Sequence, residues 1–134
     1  DLLKNISSYN SNLDELETIR KAYDYASYLH DGQTRQSGEP YIIHPTNVAY
    51  TIAEIGLDEK TICAALLHDT IEDCDVTREE ISNEFSIEIA TLVDGVTKIN
   101  KLNKSIIIKI DIIFSPDSCI AIYCSIKLNN TLKF

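Results

Sequence analysis

The chain has 134 residues, 44% of them hydrophobic and 25% charged, and a formal net charge of −9. That length and balance suit one globular domain with a real core. An excess of acidic groups is the wrong surface for nucleic acid or an anionic membrane, both of which need basic residues to displace counterions or meet headgroups. No stretch has the uninterrupted apolar length of a membrane span, and Asp1-Leu2-Leu3-Lys4-Asn5 does not open a signal peptide. There is no methionine, so the chain reads as a trimmed or partial product. Cys63, Cys74, Cys119 and Cys124 form no CxxC pair and lie in segments of different character. They read as free thiols in a reducing cytoplasm, Cys63 as core packing and Cys74 beside the acidic cluster.

Taken in order, Leu13, Leu16, Ile19, Ala22, Tyr23, Ala26 and Leu29 follow a helical period, with Asn12 or Asp14 as start signal and an end near His30-Asp31-Gly32. From Gly32 to Pro45 two glycines and two prolines predict a long loop, and loops of this length in compact domains tend to be functional. Pro45 suits a first helical turn, and Val48, Ala49, Ile52, Ala53 and Ile55 give that helix a buried face ending at Gly56. Asp58 is placed to cap the next helix. Thr77-Arg78-Glu79-Glu80 matches a capping box for a short helix through Ile81 to Phe85. Ser86 opens another, with Ile89, Leu92, Val93 and Val96 inward. Lys101 to Lys104 reads as a polar hinge. The isoleucine-rich run from Ile106 to Phe114, the Ser115-Pro116-Asp117 turn and the apolar run from Cys119 to Ile126 fit strands or short buried helices equally.

The densest chemistry is Leu66-Leu67-His68-Asp69-Thr70-Ile71-Glu72-Asp73. Run as one helix, His68 stacks over Glu72 and Asp69 over Asp73, so all four polar groups share a face. No lysine or arginine lies between Thr61 and Thr77 to relieve the repulsion among Asp69, Glu72, Asp73 and Asp75, and a divalent cation would. A bare His-Asp dipeptide is more often an ordinary acidic face with a satisfied histidine. The His44-Pro45 segment upstream reverses those odds. Imidazole nitrogen with carboxylate oxygen suits Mn²⁺, Fe²⁺ or Zn²⁺, and carboxylates one turn further on are placed to orient or deprotonate a water.

Three blocks together, residues 30–45 (HDGQTRQSGEPYIIHP), 64–73 (AALLHDTIED) and 92–98 (LVDGVTK), resemble the hydrolase domain of the RelA/SpoT family, which makes and destroys the alarmone (p)ppGpp. Their order and spacing fit over roughly residues 15–100. The resemblance implies an all-helical, HD-type metal-dependent phosphohydrolase fold across 1–134, followed at its end by an irregular isoleucine-rich tail. It assigns His44, His68 and Asp69 as metal ligands, usually of Mn²⁺, and Glu72 and Asp73 as the acidic pair handling the attacking water and the leaving pyrophosphate. Arg35, with Gln36 and Ser37 beside it, is implied to meet the nucleotide, its planar cation stacking on guanine; at Gln36 the family usually has lysine. The implied partner is a small guanine nucleotide and the implied compartment the cytoplasm.

The tail departs from the family. An Asp-Arg-x-x-Asn-type motif there supplies a fourth ligand, whereas Leu128-Asn129-Asn130-Thr131 lacks its Asp-Arg core, and Asp111 and Asp117 sit in no such context. The expectation is therefore a 3′-pyrophosphohydrolase with impaired activity. The alternatives are an inactive domain that keeps nucleotide or partner binding, and a relative acting on another nucleotide such as NADPH. No sequence resembling the family's synthetase domain is present, so no alarmone synthesis is expected.

Overall fold

The computed structural model describes residues 2–106, with side chains through residue 98. Seven helices and no strand occur among these residues: α1 (Leu2–Ser7), α2 (Leu13–Leu29), α3 (Ile43–Glu54), α4 (Glu59–Leu67), α5 (Thr70–Asp73), α6 (Arg78–Glu84) and α7 (Ile87–Ile106). The start signals act through side chains. Asn12 accepts from the backbone N–H groups of Asp14 and Glu15, Asp58 from that of Thr61, and Thr77 and Glu80 complete a reciprocal capping box. Gly56, with φ of +73°, ends α3 in a conformation that a side chain would strain.

Helix α4 is the centre of the fold. Thr61 to Leu67 are all buried, and the helix packs against α2, α3 and α7. A helix apolar on every side is what a central position requires. Ile19, Ala22 and Ala26 of α2, Val48, Ala49 and Ile52 of α3, and Ile89, Val93 and Val96 of α7 close around it in one core cluster. Cys63 lies in that core as a free thiol, and burial pushes its pKa up.

Several expectations are corrected. Ile55, read as part of the buried face of α3, is 55% exposed because the helix ends at Glu54 and the chain turns at Gly56. Leu13 keeps the helical period expected of it, and in the first turn of α2 it is 78% exposed. Helix α1 was too short to show a period, yet it buries Ile6 completely. The polar hinge at Lys101 to Lys104 does not form: α7 runs through it to Ile106, no glycine or proline standing between Gly95 and Ile106. The tail beyond residue 106, with Cys119, Cys124, Asp111, Asp117 and the Leu128-to-Thr131 segment, lies outside the described residues.

Candidate metal centre

The helix expected to carry the whole acidic cluster is broken at its key dipeptide. Helix α4 stops at Leu67, His68 and Asp69 form a turn, and α5 starts at Thr70. Both turn residues keep right-handed helical dihedrals, so the chain continues in nearly the same direction. Two side chains take the carbonyls that a regular helix would have used: His68 Nδ1 donates to Ala65 O at 2.6 Å, and Thr70 Oγ1 to Leu67 O at 2.7 Å. The i to i+4 pattern resumes with Asp73 N–H donating to Asp69 O at 2.9 Å. The four polar side chains therefore differ in how far they are buried. His68 is 1% exposed, Asp69 is nearly as buried, Glu72 is half-buried and Asp73 is exposed.

His68 is turned inward by its own hydrogen bond. A carbonyl only accepts, so Nδ1 carries the proton and Nε2 is left to face the site. That Nε2 is fully buried and has no hydrogen-bond partner, although Asp69 Oδ2 lies 3.1 Å away out of line. His44, in the first turn of α3, brings its Nε2 to 3.8 Å from the same oxygen, and the two imidazole centroids are 5.3 Å apart. One ligand atom from each of His44, His68 and Asp69 falls within 4.8 Å of the others. Donors sharing one ion at about 2.1 to 2.2 Å stand roughly 3.0 to 3.5 Å apart. The His68–Asp69 pair falls in that range, the His44–Asp69 pair stands about 0.3 Å beyond it, and the 4.8 Å span of the whole set leaves it open by up to about 1.3 Å on the His44 side. An orphaned buried nitrogen, a second imidazole and a carboxylate converging on one point are a donor set suited to a divalent ion.

The electrostatics follow from this crowding. Burial works to raise the Asp69 pKa, but His68, the Tyr41 hydroxyl and His44 outweigh it and hold the carboxyl at about 2. Burial likewise disfavours charge on His68, but Asp69 and the Ala65 carbonyl overcome it, and its pKa is raised.

Tyr41 is the residue that sequence reasoning passed over. It ends the loop before α3, and its hydroxyl reaches Asp69 Oδ2 at 2.8 Å and Asp73 Oδ2 at 3.0 Å. Its ring stacks on buried His30 with centroids 4.7 Å apart. The signal was present in the first motif block, where Tyr41 stands three residues before His44 and so one turn from it. The remaining candidates lie on the loop. Arg35 N–H donates to Glu39 O and Gly38 N–H to Arg35 O, both at 2.9 Å, making a tight turn that presents Arg35, Gln36 and Ser37 to solvent. The Arg35 guanidinium makes no ion pair with the described residues.

A family model described as an HD domain matches residues 22–109. The chain belongs to the HD-domain family. This HD domain is 53% identical over 102 residues to a guanosine-3′,5′-bis(diphosphate) 3′-pyrophosphohydrolase of Aquifex aeolicus, and 51% identical over 102 residues to the protein of that name in Vibrio cholerae; each match covers 76% of this chain and 14% of the relative. It is 50% identical over 100 residues to a GTP pyrophosphokinase of Myxococcus xanthus, covering 75% of this chain and 13% of that protein. The chain thus spans about one seventh of the length of these relatives, and the resemblance to RelA/SpoT hydrolase/synthetase proteins holds at about half identity. Among the described residues no helix is long and apolar enough to cross a membrane.

Proposed function

We propose that this HD domain is a divalent-metal-dependent, cytoplasmic (p)ppGpp 3′-pyrophosphohydrolase domain, its single catalytic unit spanning residues 1–134. The observation that carries the proposal is the convergence of His44, His68 and Asp69 within 4.8 Å around a buried, unpartnered imidazole nitrogen. A chain half identical to named pyrophosphohydrolases makes that donor set meaningful as a catalytic centre. His44, His68 and Asp69 would hold the ion, Mn²⁺ by family resemblance. Bound there, it supplies Lewis acidity toward phosphoryl oxygens and water.

The chain's own groups do the rest. In the reaction, water adds to the phosphorus next to the 3′ oxygen, the P–O3′ bond breaks, and GDP or GTP and pyrophosphate result. One proton must leave the water and one must reach the 3′ oxygen. Glu72 and Asp73, within a turn of the ligands, are the groups we assign to those transfers. Arg35 lies exposed on its turn, its guanidinium available to stack on guanine, with Gln36 and Ser37 beside it.

The test incubates the chain with Mn²⁺ and ppGpp and measures released pyrophosphate beside a His68→Ala control. Metal-dependent release that His68→Ala abolishes supports the proposal; equal release from both chains refutes it. A second reading, a domain that binds nucleotide without turning it over, is favoured by one sequence feature, the missing Asp-Arg core between Leu128 and Thr131. It predicts guanine nucleotide binding with no pyrophosphate release in the same assay.

A further inference from the structure

Tyr41 is fixed from every side before its hydroxyl reaches the site. Its backbone N–H donates to Gln33 O at 2.9 Å, which closes the loop behind it, and its carbonyl accepts from His44 N–H at 3.1 Å in the first turn of α3. The ring lies nearly parallel to His30, at 27°. His30 cannot swing away, being 3% exposed and pinned through Nδ1 to Gln33 Oε1 at 2.9 Å with Cys74 Sγ at 3.4 Å. The hydroxyl that results from this clamping has one proton and two carboxylate oxygens in reach. One of them, Asp69 Oδ2, is the same oxygen that faces His44 and His68. The other belongs to Asp73, four residues on, where two carboxylates on one face would otherwise repel and rotate apart.

Resting on the proposed function, we propose that Tyr41 is a positioning residue: its hydroxyl, sharing its one proton between the two carboxylate oxygens, holds Asp69 in the orientation of a ligand and Asp73 in that of a proton carrier, so that one side chain sets both halves of the site. Hydrogen bonds to ligating carboxylates orient them and contribute about 10- to 100-fold to metal affinity or activity. The Tyr41 pKa is raised far above the ordinary phenol value by burial and then by Asp69 and Asp73, so the hydroxyl stays a donor. Because the tyrosine is tied to the loop carrying Arg35 and, one turn on, to His44, its position depends on the same backbone that presents both.

Tyr41→Phe keeps the ring on His30 and removes only the hydroxyl. Its Mn²⁺ affinity, read without nucleotide from the paramagnetic resonance of free Mn²⁺, is expected to fall about tenfold. At saturating Mn²⁺, kcat for pyrophosphate release is expected to fall about tenfold or more, with KM for ppGpp within about twofold. Asp73→Asn, at an exposed position that does not threaten the fold, provides the second arm: it lowers kcat while leaving Mn²⁺ affinity near that of the parent. The double variant falls by less than the product of the single effects, because the hydroxyl acts partly through Asp73. Mn²⁺ affinity and kcat both within about twofold of the parent in a folded Tyr41→Phe chain would overturn the proposal. So would a rise in KM alone, which would make Tyr41 a nucleotide contact. If the parent chain releases no pyrophosphate, the substrate reading fails, and the Mn²⁺ titration still decides the role of Tyr41 toward Asp69.

Discussion

Asp69→Asn in the metal-free chain is expected to lower stability only within a window of pH, whose edges follow from the two partners. The Asp69 carboxyl falls from 3.8 to about 2 on folding, so its contribution is present above the unfolded value and lost as pH falls through about 2. His68 is shifted the other way, above 6.5, so its share is present below that value and lost as pH rises through its raised folded value. The interaction is therefore complete between roughly pH 4 and pH 6.5. Its upper bound follows from the fall of the Asp69 carboxyl from 3.8 to about 2, about 2.5 kcal/mol in all, of which His68 supplies the largest part and Tyr41 and His44 the rest. The asparagine oxygen can still accept from Tyr41, so that bond does not enter the difference. The assay is urea unfolding of parent and variant in EDTA from pH 2 to pH 9, where the many exposed carboxylates contribute equally to both chains and cancel. The difference should rise from near zero at pH 2, reach its maximum near pH 5 to 6, and decline on the alkaline side. A difference that stays constant across that range would show that the His68–Asp69 pair is not what holds the carboxyl down.

Other expectations follow from the same geometry. Mn²⁺ must displace the proton that Asp69 favours on His68 Nε2, so affinity should rise with pH, up to about tenfold per unit below the raised His68 pKa; a flat titration profile from pH 6 to 8 would exclude His68 as a ligand. Arg35→Ala should weaken GDP binding by roughly two- to fivefold, the worth of an exposed cation–π contact, with melting unchanged because the side chain is exposed; unaltered calorimetric affinity would remove it from the nucleotide site. Ile62→Ala should cost about 2 to 5 kcal/mol in urea unfolding and Ile55→Ala less than about 0.5 kcal/mol, and comparable losses would contradict the burial that separates them.

The elements that could be read from the chain are those set within one helical turn. Asn12, Asp58 and Thr77 cap their helices because each side chain needs only the N–H two or three residues on, and Gly56 stops α3 because only its own φ is involved. Family resemblance named His44, His68 and Asp69 from motif blocks whose spacing is local, and the structure brings those three together. What lay beyond reach were outcomes of competition at a distance. The break after Leu67 arises because the His68 and Thr70 side chains take helix carbonyls, a choice that depends on His68 being buried toward α3. Ile55 and Leu13 fit a period and still face solvent, since period says which side a residue is on and not whether anything covers it. Tyr41 is marked in the sequence only by standing three residues before His44: its importance comes from a hydroxyl meeting two carboxylates 28 and 32 residues away, a contact that only the folding of the loop back over the His68-to-Asp73 segment creates. The sequence alone decided the caps, the helix stop and the residue types at the centre, because those depend on neighbours along the chain. The tertiary structure alone decided which donors share a point in space and which side chain holds them there, because that depends on neighbours across the core.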